Sequence, residues 1–140
     1  SNEFEEIKKN NISNNEKLTK LNSESEEIKE YYKESLDVSL CNEFVEKMRD
    51  NDQTIVGENG LKLSGGQKQR LGIARALYQK KEVLILDEAT NSLDEFTEKK
   101  ILEKILNLKN KQTIIFVSHK SANFNICDKI IDISNLNWLN

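Results

Sequence analysis

The sequence predicts an α/β fold built on a parallel sheet, and three observations carry that reading. Short apolar runs at 83–86, 113–117 and 129–133 alternate with helical patterns over 65–79 and 93–108. Strand and helix in alternation, joined by right-handed crossovers, make the strands parallel. Two of the runs end in polar pairs, Asp87-Glu88 and Ser118-His119. Open α/β sheets put their chemistry beyond the carboxyl ends of the strands, so both pairs fall on one edge. The third observation is Ser64-Gly65-Gly66, a serine and two glycines at the expected start of a helix.

The elements follow in chain order. Residues 1–34 are dominated by Asn, Glu, Lys and Ser, with sparse apolar residues. Such composition buries too little surface to offset its ordering entropy, so a low-complexity or poorly ordered arm is expected. The alternative is a surface helix over 24–32, with Ser23 as cap and Glu26 pairing Lys29 or Lys33. Leu36, Leu40, Phe44, Val45 and Met48 recur at spacings of three and four, which predicts an amphipathic helix over 35–50. Asn51-Asp52 breaks it, and 54–60 runs extended into a glycine turn. The next helix, 65–79, turns Leu71, Ala74 or Arg75, and Leu77 or Tyr78 inward. The run 83–86 is apolar throughout, as expected for a strand buried on both faces. Helix 93–108 faces Ile101, Leu102, Ile105 and Leu106 inward. Strand 113–117, a short helix at 121–127 and strand 129–133 complete the order. The chain thus divides into a polar segment 1–34, a helical part 35–80 and a sheet part 81–140.

Composition narrows the function. The net charge is −3, and no basic patch points to nucleic acid. No apolar run approaches the roughly 20 residues needed to cross a bilayer, and no signal-peptide pattern opens the chain. Cys41 and Cys127 stand apart without Cys or His neighbours, as free thiols do. A phosphate-cradling P-loop needs G-x-x-x-x-G-K-[ST], and none of the five glycines is followed by lysine.

The chemistry-bearing groups fit a nucleotide site. A helix opening on Ser64-Gly65-Gly66 offers unpaired N–H groups, a positive dipole end and room for a phosphate. The same serine can simply cap the helix. Asp87, at a strand end, suits a water of Mg²⁺, which prefers hard oxygen ligands and keeps much of its hydration. Glu88 lies one residue beyond the strand and is free to address a nucleophile. His119 is the single histidine and follows the second strand directly.

Leu63 to Leu77, LSGGQKQRLGIARAL, and Val83 to Asp94, VLILDEATNSLD, resemble the ATP-binding-cassette (ABC) ATPases. The first stretch resembles their signature motif, the second their Walker B and D-loop. The resemblance implies the C-terminal half of a P-loop NTPase (RecA-like) sheet with a helical signature subdomain. It implies that Ser64, Gly65, Gly66 and Gln67 contact the γ-phosphate of ATP held by an opposite subunit. It implies Asp87 as the Mg²⁺ carboxylate, Glu88 as the group that orients or deprotonates the attacking water, Asp94 as a D-loop contact, and His119 as the switch histidine. Thr54 to Gly60, TIVGENG, resembles the segment that in exporter-type members meets the membrane domain. The implied cofactors are ATP and Mg²⁺. The implied partners are a second nucleotide-binding domain and a transmembrane domain, with the cassette on the cytoplasmic face of a membrane. The resemblance departs at the P-loop, at the adenine-stacking aromatic and at the glutamine loop, and the Asn/Lys-rich stretch is not something the family requires. The expectation is therefore the latter part of a cassette whose P-loop lies elsewhere, inactive alone. A soluble cassette ATPase of DNA repair or translation, and a half-cassette that only donates a signature face, are the competing expectations.

Overall fold

In the computed structural model of the protein, residues 2–57, 61–108, 112–120 and 126–132 are described, with side chains from residue 16 onward. Helix α1 (Asn2–Val38) takes up the polar arm. The arm, expected to be poorly ordered or else a surface helix over 24–32, is helical. Local chemistry explains this. The arm contains neither Gly nor Pro, and helical neighbours pair along it. Lys29 Nζ lies 2.8 Å from Glu26 Oε1, and the Tyr31 hydroxyl donates to Glu27 at 2.6 Å. Each such pair contributes only about 0.2–0.5 kcal/mol. Side chains 16–30 are all exposed, and packing begins at Ser35 and Val38.

The single helix expected over 35–50 is split. Leu40 turns left-handed at φ 57°. Its N–H bonds the Asp37 carbonyl at 3.1 Å, and the Cys41 N–H bonds the Leu36 carbonyl at 2.8 Å. This pair of bonds is a Schellman closure, with leucine where glycine is usual. A short helix α2 (Asn42–Val45) follows. Periodicity could not reveal the break, because the apolar stripe survives it. Leu40, Cys41 and Phe44 are buried, and Leu36, Val45 and Met48 pack beside them. Arg70 pins the junction from outside: it donates to the Leu40 carbonyl at 3.1 Å, pairs with Glu43 at 3.0 Å, and lies 4.8 Å over the Phe44 ring.

Helix α3 (Gly65–Tyr78) buries Ile73, Ala74 and Leu77, with Leu71 half-buried; Arg75 and Tyr78 face solvent. It leads into β1 (Val83–Asp87), which pairs in parallel with β2 (Thr113–Val117) from Val83 opposite Thr113 to Asp87 opposite Val117. Between them runs α4 (Glu95–Leu106), which buries Ile101, Leu102 and Ile105 and leaves Leu106 exposed. The core joins Val38, Leu40, Ile73, Leu77, Leu84, Leu86, Leu93, Ile101 and Ile105.

The sheet covers only one of its faces. Leu84 and Leu86 are buried under the helices, with Ile114 and Phe116 beside them. Val83, Ile85, Ile115 and Val117 point the other way and are exposed, Ile85 by 61 %. The strands expected to be buried on both sides are thus half-covered among the described residues. The third strand expected at 129–133 is not formed over 129–132, where the backbone is irregular. Residue 133 lies outside the described residues, as does most of the short helix expected at 121–127.

Candidate functional site

Ser64, extended at φ −64° and ψ 164°, caps α3. Its Oγ accepts from the Gln67 N–H at 3.2 Å, and the Gln67 Oε1 accepts from the Ser64 N–H at 2.9 Å. The two side chains form a capping box, which satisfies two of the orphan donors at the helix start. The cap uses only acceptor capacity. The Ser64 hydroxyl proton and the Gln67 NH₂ hydrogens remain as donors. With the exposed Gly65 amide, they put a cluster of N–H and O–H groups at the positive end of a helix.

The glycines serve the packing too. A Cβ on Gly66 would lie 3.2 Å from the Ser92 carbonyl oxygen and 3.4 Å from Leu93 Cδ2. The first turn of α3 therefore rests against the loop that follows β1.

At the end of β1, Asp87 presents an exposed carboxylate. Glu88 then turns left-handed at φ 46°. A non-glycine residue there bears a strain of about 1–3 kcal/mol, which persists only where surroundings impose it. The surroundings are visible. Glu88 N–H bonds the Val117 carbonyl at 3.1 Å, and its own carbonyl accepts from Asn91 N–H at 3.2 Å. One carboxylate oxygen accepts from Asn91 Nδ2 at 2.9 Å; the other lies 3.0 Å from His119 Nε2. His119 is 89 % exposed, so this contact sits in the open at the sheet edge. Strand pairing causes the encounter: β1 and β2 end in register at Asp87 and Val117, and Glu88 and His119 follow those ends by one and two residues.

Asp94 caps α4 by accepting from the Thr97 N–H at 2.9 Å. The Thr97 side chain, and then backbone amides, hold its carboxyl below the usual aspartate range, so it stays ionised. Ser64, Gly65, Gly66 and the 91–94 loop thus lie together, Glu88 and His119 touch, and Asp87 stands beside them at the strand end. Gly57, at φ 119°, donates its N–H to the Leu61 carbonyl at 3.3 Å; residues 58–60 of the expected membrane-facing segment lie outside the described residues. Cys41 and Cys127 form no disulfide among the described residues, and burial pushes the Cys41 thiol up, which makes it inert.

Two side chains that sequence reasoning passed over tie this edge together. Gln69, one turn into α3, accepts from the Ser92 N–H at 2.7 Å and donates to the Glu88 carbonyl at 3.4 Å. Glu98 is only 2 % exposed; Thr90 Oγ1 donates to it at 2.6 Å and Lys120 Nζ at 2.7 Å. Glu98 had a signal: it shares a helical stripe with Ile101, Leu102 and Ile105, and an acid on an apolar stripe requires partners.

A glycine-opened, donor-rich helix start beside two parallel strand ends that carry carboxylates and an imidazole defines a P-loop NTPase-like α/β protein. The ABC transporter family model matches residues 2–91, which includes the polar arm that the family was not expected to require. The chain belongs to the ABC transporter family. It is 47 % identical over 88 residues to ABC transporter B family member 6 of Dictyostelium discoideum, covering 63 % of this chain and 13 % of that protein. It is 46 % identical over 91 residues to the ATP-dependent lipid A-core flippase of Haemophilus influenzae (strain 86-028NP), covering 65 % and 16 %. Among solved structures, it resembles a bacterial Atm1-family ABC exporter with ATP bound, at TM-score 0.61 and 35 % identity over 67 % of this chain and 16 % of that one. The chain therefore spans about one-seventh of the length of these relatives.

Proposed function

We propose that this chain is the signature and Walker B part of an ATP-binding cassette that powers export across a membrane. The observation that carries the reading is the 3.0 Å contact of His119 Nε2 with Glu88, at the sheet edge where the helix capped by Ser64 also begins. In this reading Ser64, Gly65, Gly66 and Gln67 bind the γ-phosphate of ATP on a second, opposed nucleotide-binding domain, with the donors that the cap leaves free. Asp94 and its loop meet that same partner. Glu88 positions and deprotonates the attacking water, and His119 contacts Glu88 and the γ-phosphate. Phosphoryl transfer leaves a protein mostly this work of positioning and charge stabilisation.

Asp87 fits an outer-sphere Mg²⁺ ligand, being an exposed hard oxygen at a strand end. No group of three or more His, Cys, Asp or Glu among the described residues can hold a metal. Asp87 would therefore share the ion with nucleotide phosphates and with residues outside this chain. When bound, Mg²⁺ supplies charge neutralisation to the phosphates.

The exposed apolar sheet face, Val83, Ile85, Ile115 and Val117, supports the same proposal. It is the surface on which the P-loop part of a RecA-like core would pack. The functional division then lies near residue 80, with a helical signature subdomain before it and the Walker B part of the ATPase core after it. The transmembrane domain is the second partner, and the cassette sits on its cytoplasmic side. Alone, residues 1–140 are inactive for want of a P-loop.

The test is Glu88→Gln in the full-length protein. Nucleotide binding persists, and turnover falls by about 100-fold or more, as loss of a general base predicts. Unchanged turnover would remove Glu88 from the chemistry and the reading with it.

A further inference from the structure

We infer that Gln69 is a positioning residue that locks the start of the signature helix to the turn carrying Glu88, so that the two ATP sites of a cassette pair share one rigid unit. The inference rests on the function proposed above and extends it to a residue to which the resemblance gave no role. Under that function, Ser64, Gly66 and Gln67 serve the nucleotide of the opposed domain, and Glu88 serves the nucleotide of its own. Those two duties need a mechanical link, and one carboxamide spans them.

Gln69 Oε1 accepts from the Ser92 N–H at 2.7 Å, and its Nε2 reaches the Glu88 carbonyl at 3.4 Å. The first contact is short and carries the link; the second is long and closes only with a small approach. The two partners bracket the turn from Glu88 to Ser92. That turn is held at its centre by the Asn91 N–H to Glu88 carbonyl bond at 3.2 Å. Its far end touches the helix start again, at Gly66, where no Cβ fits without crowding the Ser92 carbonyl at 3.2 Å. The left-handed Glu88, at φ 46°, aims its carbonyl toward α3 in the first place.

The side-chain type is specific to the task. The site needs an acceptor for Ser92 and a donor for Glu88 on one flat group, 19 and 23 residues away in sequence. A carboxamide has both. Glutamate keeps the acceptor but sets an anionic oxygen against the Glu88 carbonyl. Leucine or alanine offers neither and leaves the Ser92 N–H without this partner.

The experiment compares the full-length protein with Gln69→Ala, Gln69→Glu and Glu88→Gln, by steady-state ATPase kinetics and by amide hydrogen exchange of the 88–93 segment. Gln69→Ala and Gln69→Glu are expected to lower kcat by about 10-fold with KM within about 2-fold, the range of a modest coupling between sites. The Ser92 amide is expected to exchange at least about 10-fold faster in Gln69→Ala, and near the wild-type rate in Gln69→Glu, which keeps the acceptor. Unchanged kcat in both Gln69 variants, while Glu88→Gln is inactive, overturns the inference and leaves the functional reading standing. A lower active fraction with wild-type kcat per active molecule and unchanged Ser92 exchange marks a merely structural glutamine and also overturns it. Full activity of Glu88→Gln sinks the functional reading, and this inference falls with it.

Discussion

Glu98 is the most buried charged group among the described residues, and the energy of its pair with Lys120 can be worked from the geometry. The carboxylate is 3 % exposed and lies 2.7 Å from a Lys120 ammonium whose side chain is 41 % exposed. Two unit charges about 4 Å apart near a surface attract by about 4 kcal/mol at an effective dielectric of 20. The open side of Lys120 screens that attraction, and fully exposed pairs yield only about 0.2–1 kcal/mol. The pair should fall between these limits, at about 1–2 kcal/mol of coupling. The perturbation is a double-mutant cycle of Glu98→Gln, Lys120→Gln and both together. Glu98→Gln keeps the volume and an acceptor for the Thr90 hydroxyl, and lets the ammonium turn to water, so its cost is modest. Lys120→Gln takes the Lys120 ammonium from a desolvated carboxylate, so it costs more. Urea unfolding followed by far-ultraviolet circular dichroism gives the four stabilities. A coupling under about 0.5 kcal/mol, or a Glu98→Gln cost above that of Lys120→Gln, would refute the reasoning.

Gly65→Ala and Gly66→Ala should separate although the residues are adjacent. At Gly65 a Cβ meets Ser92 side-chain atoms at 3.5–3.6 Å, an ordinary contact, so that variant is expected within about 0.5 kcal/mol of wild type in the same unfolding assay. At Gly66 the new methyl presses on backbone, and a loss of about 1 kcal/mol or more is expected; equal stabilities would contradict the packing. Tyr32 supplies a pH dependence. Burial first, then the 2.8 Å hydrogen bond to Asp52, push its phenol up to about 12 from an ordinary value near 10. The folded state therefore holds that proton more tightly. Its stabilisation is complete below pH 10 and is lost as the pH rises through about 12. Tyrosinate absorbance in wild type and Tyr32→Phe measures it, and simultaneous titration of all tyrosines near 10 would contradict it.

Much of the site was legible because its parts are local in sequence. Ser64-Gly65-Gly66 marks a helix start by residue type, and an apolar run followed by Asp87-Glu88 or Ser118-His119 marks a strand end. Parallel order then brings the two strand ends together with no further information. What was illegible depended on the backbone rather than on composition. Leu40 occupies a left-handed position that glycine would have announced, so the split between α1 and α2 stayed hidden under an unbroken apolar stripe. The polar arm read as unable to order itself, because the burial argument neglects that a chain free of Gly and Pro forms a helix on local pairing and one anchored end. Runs 83–86 and 113–117 read as doubly buried, but the sequence of a strand records the layers of the whole fold, and only one layer lies within the described residues. Gln69 was missed for a related reason: a polar residue on a half-buried helix face has no local signature, and its two partners come from a loop folded back from 19 and 23 positions on.

The left-handed backbone at Glu88 has a consequence for anyone ranking variants by thermal shift. Position 88 holds its carboxylate at a cost in conformational energy, so glycine there, and asparagine to a lesser degree, would relax the chain while deleting the acid. Under the proposed role of Glu88, melting temperature and ATP turnover of the full-length protein should then order substitutions at this position in opposite directions, and a library selected for robustness alone would enrich for proteins without that acid.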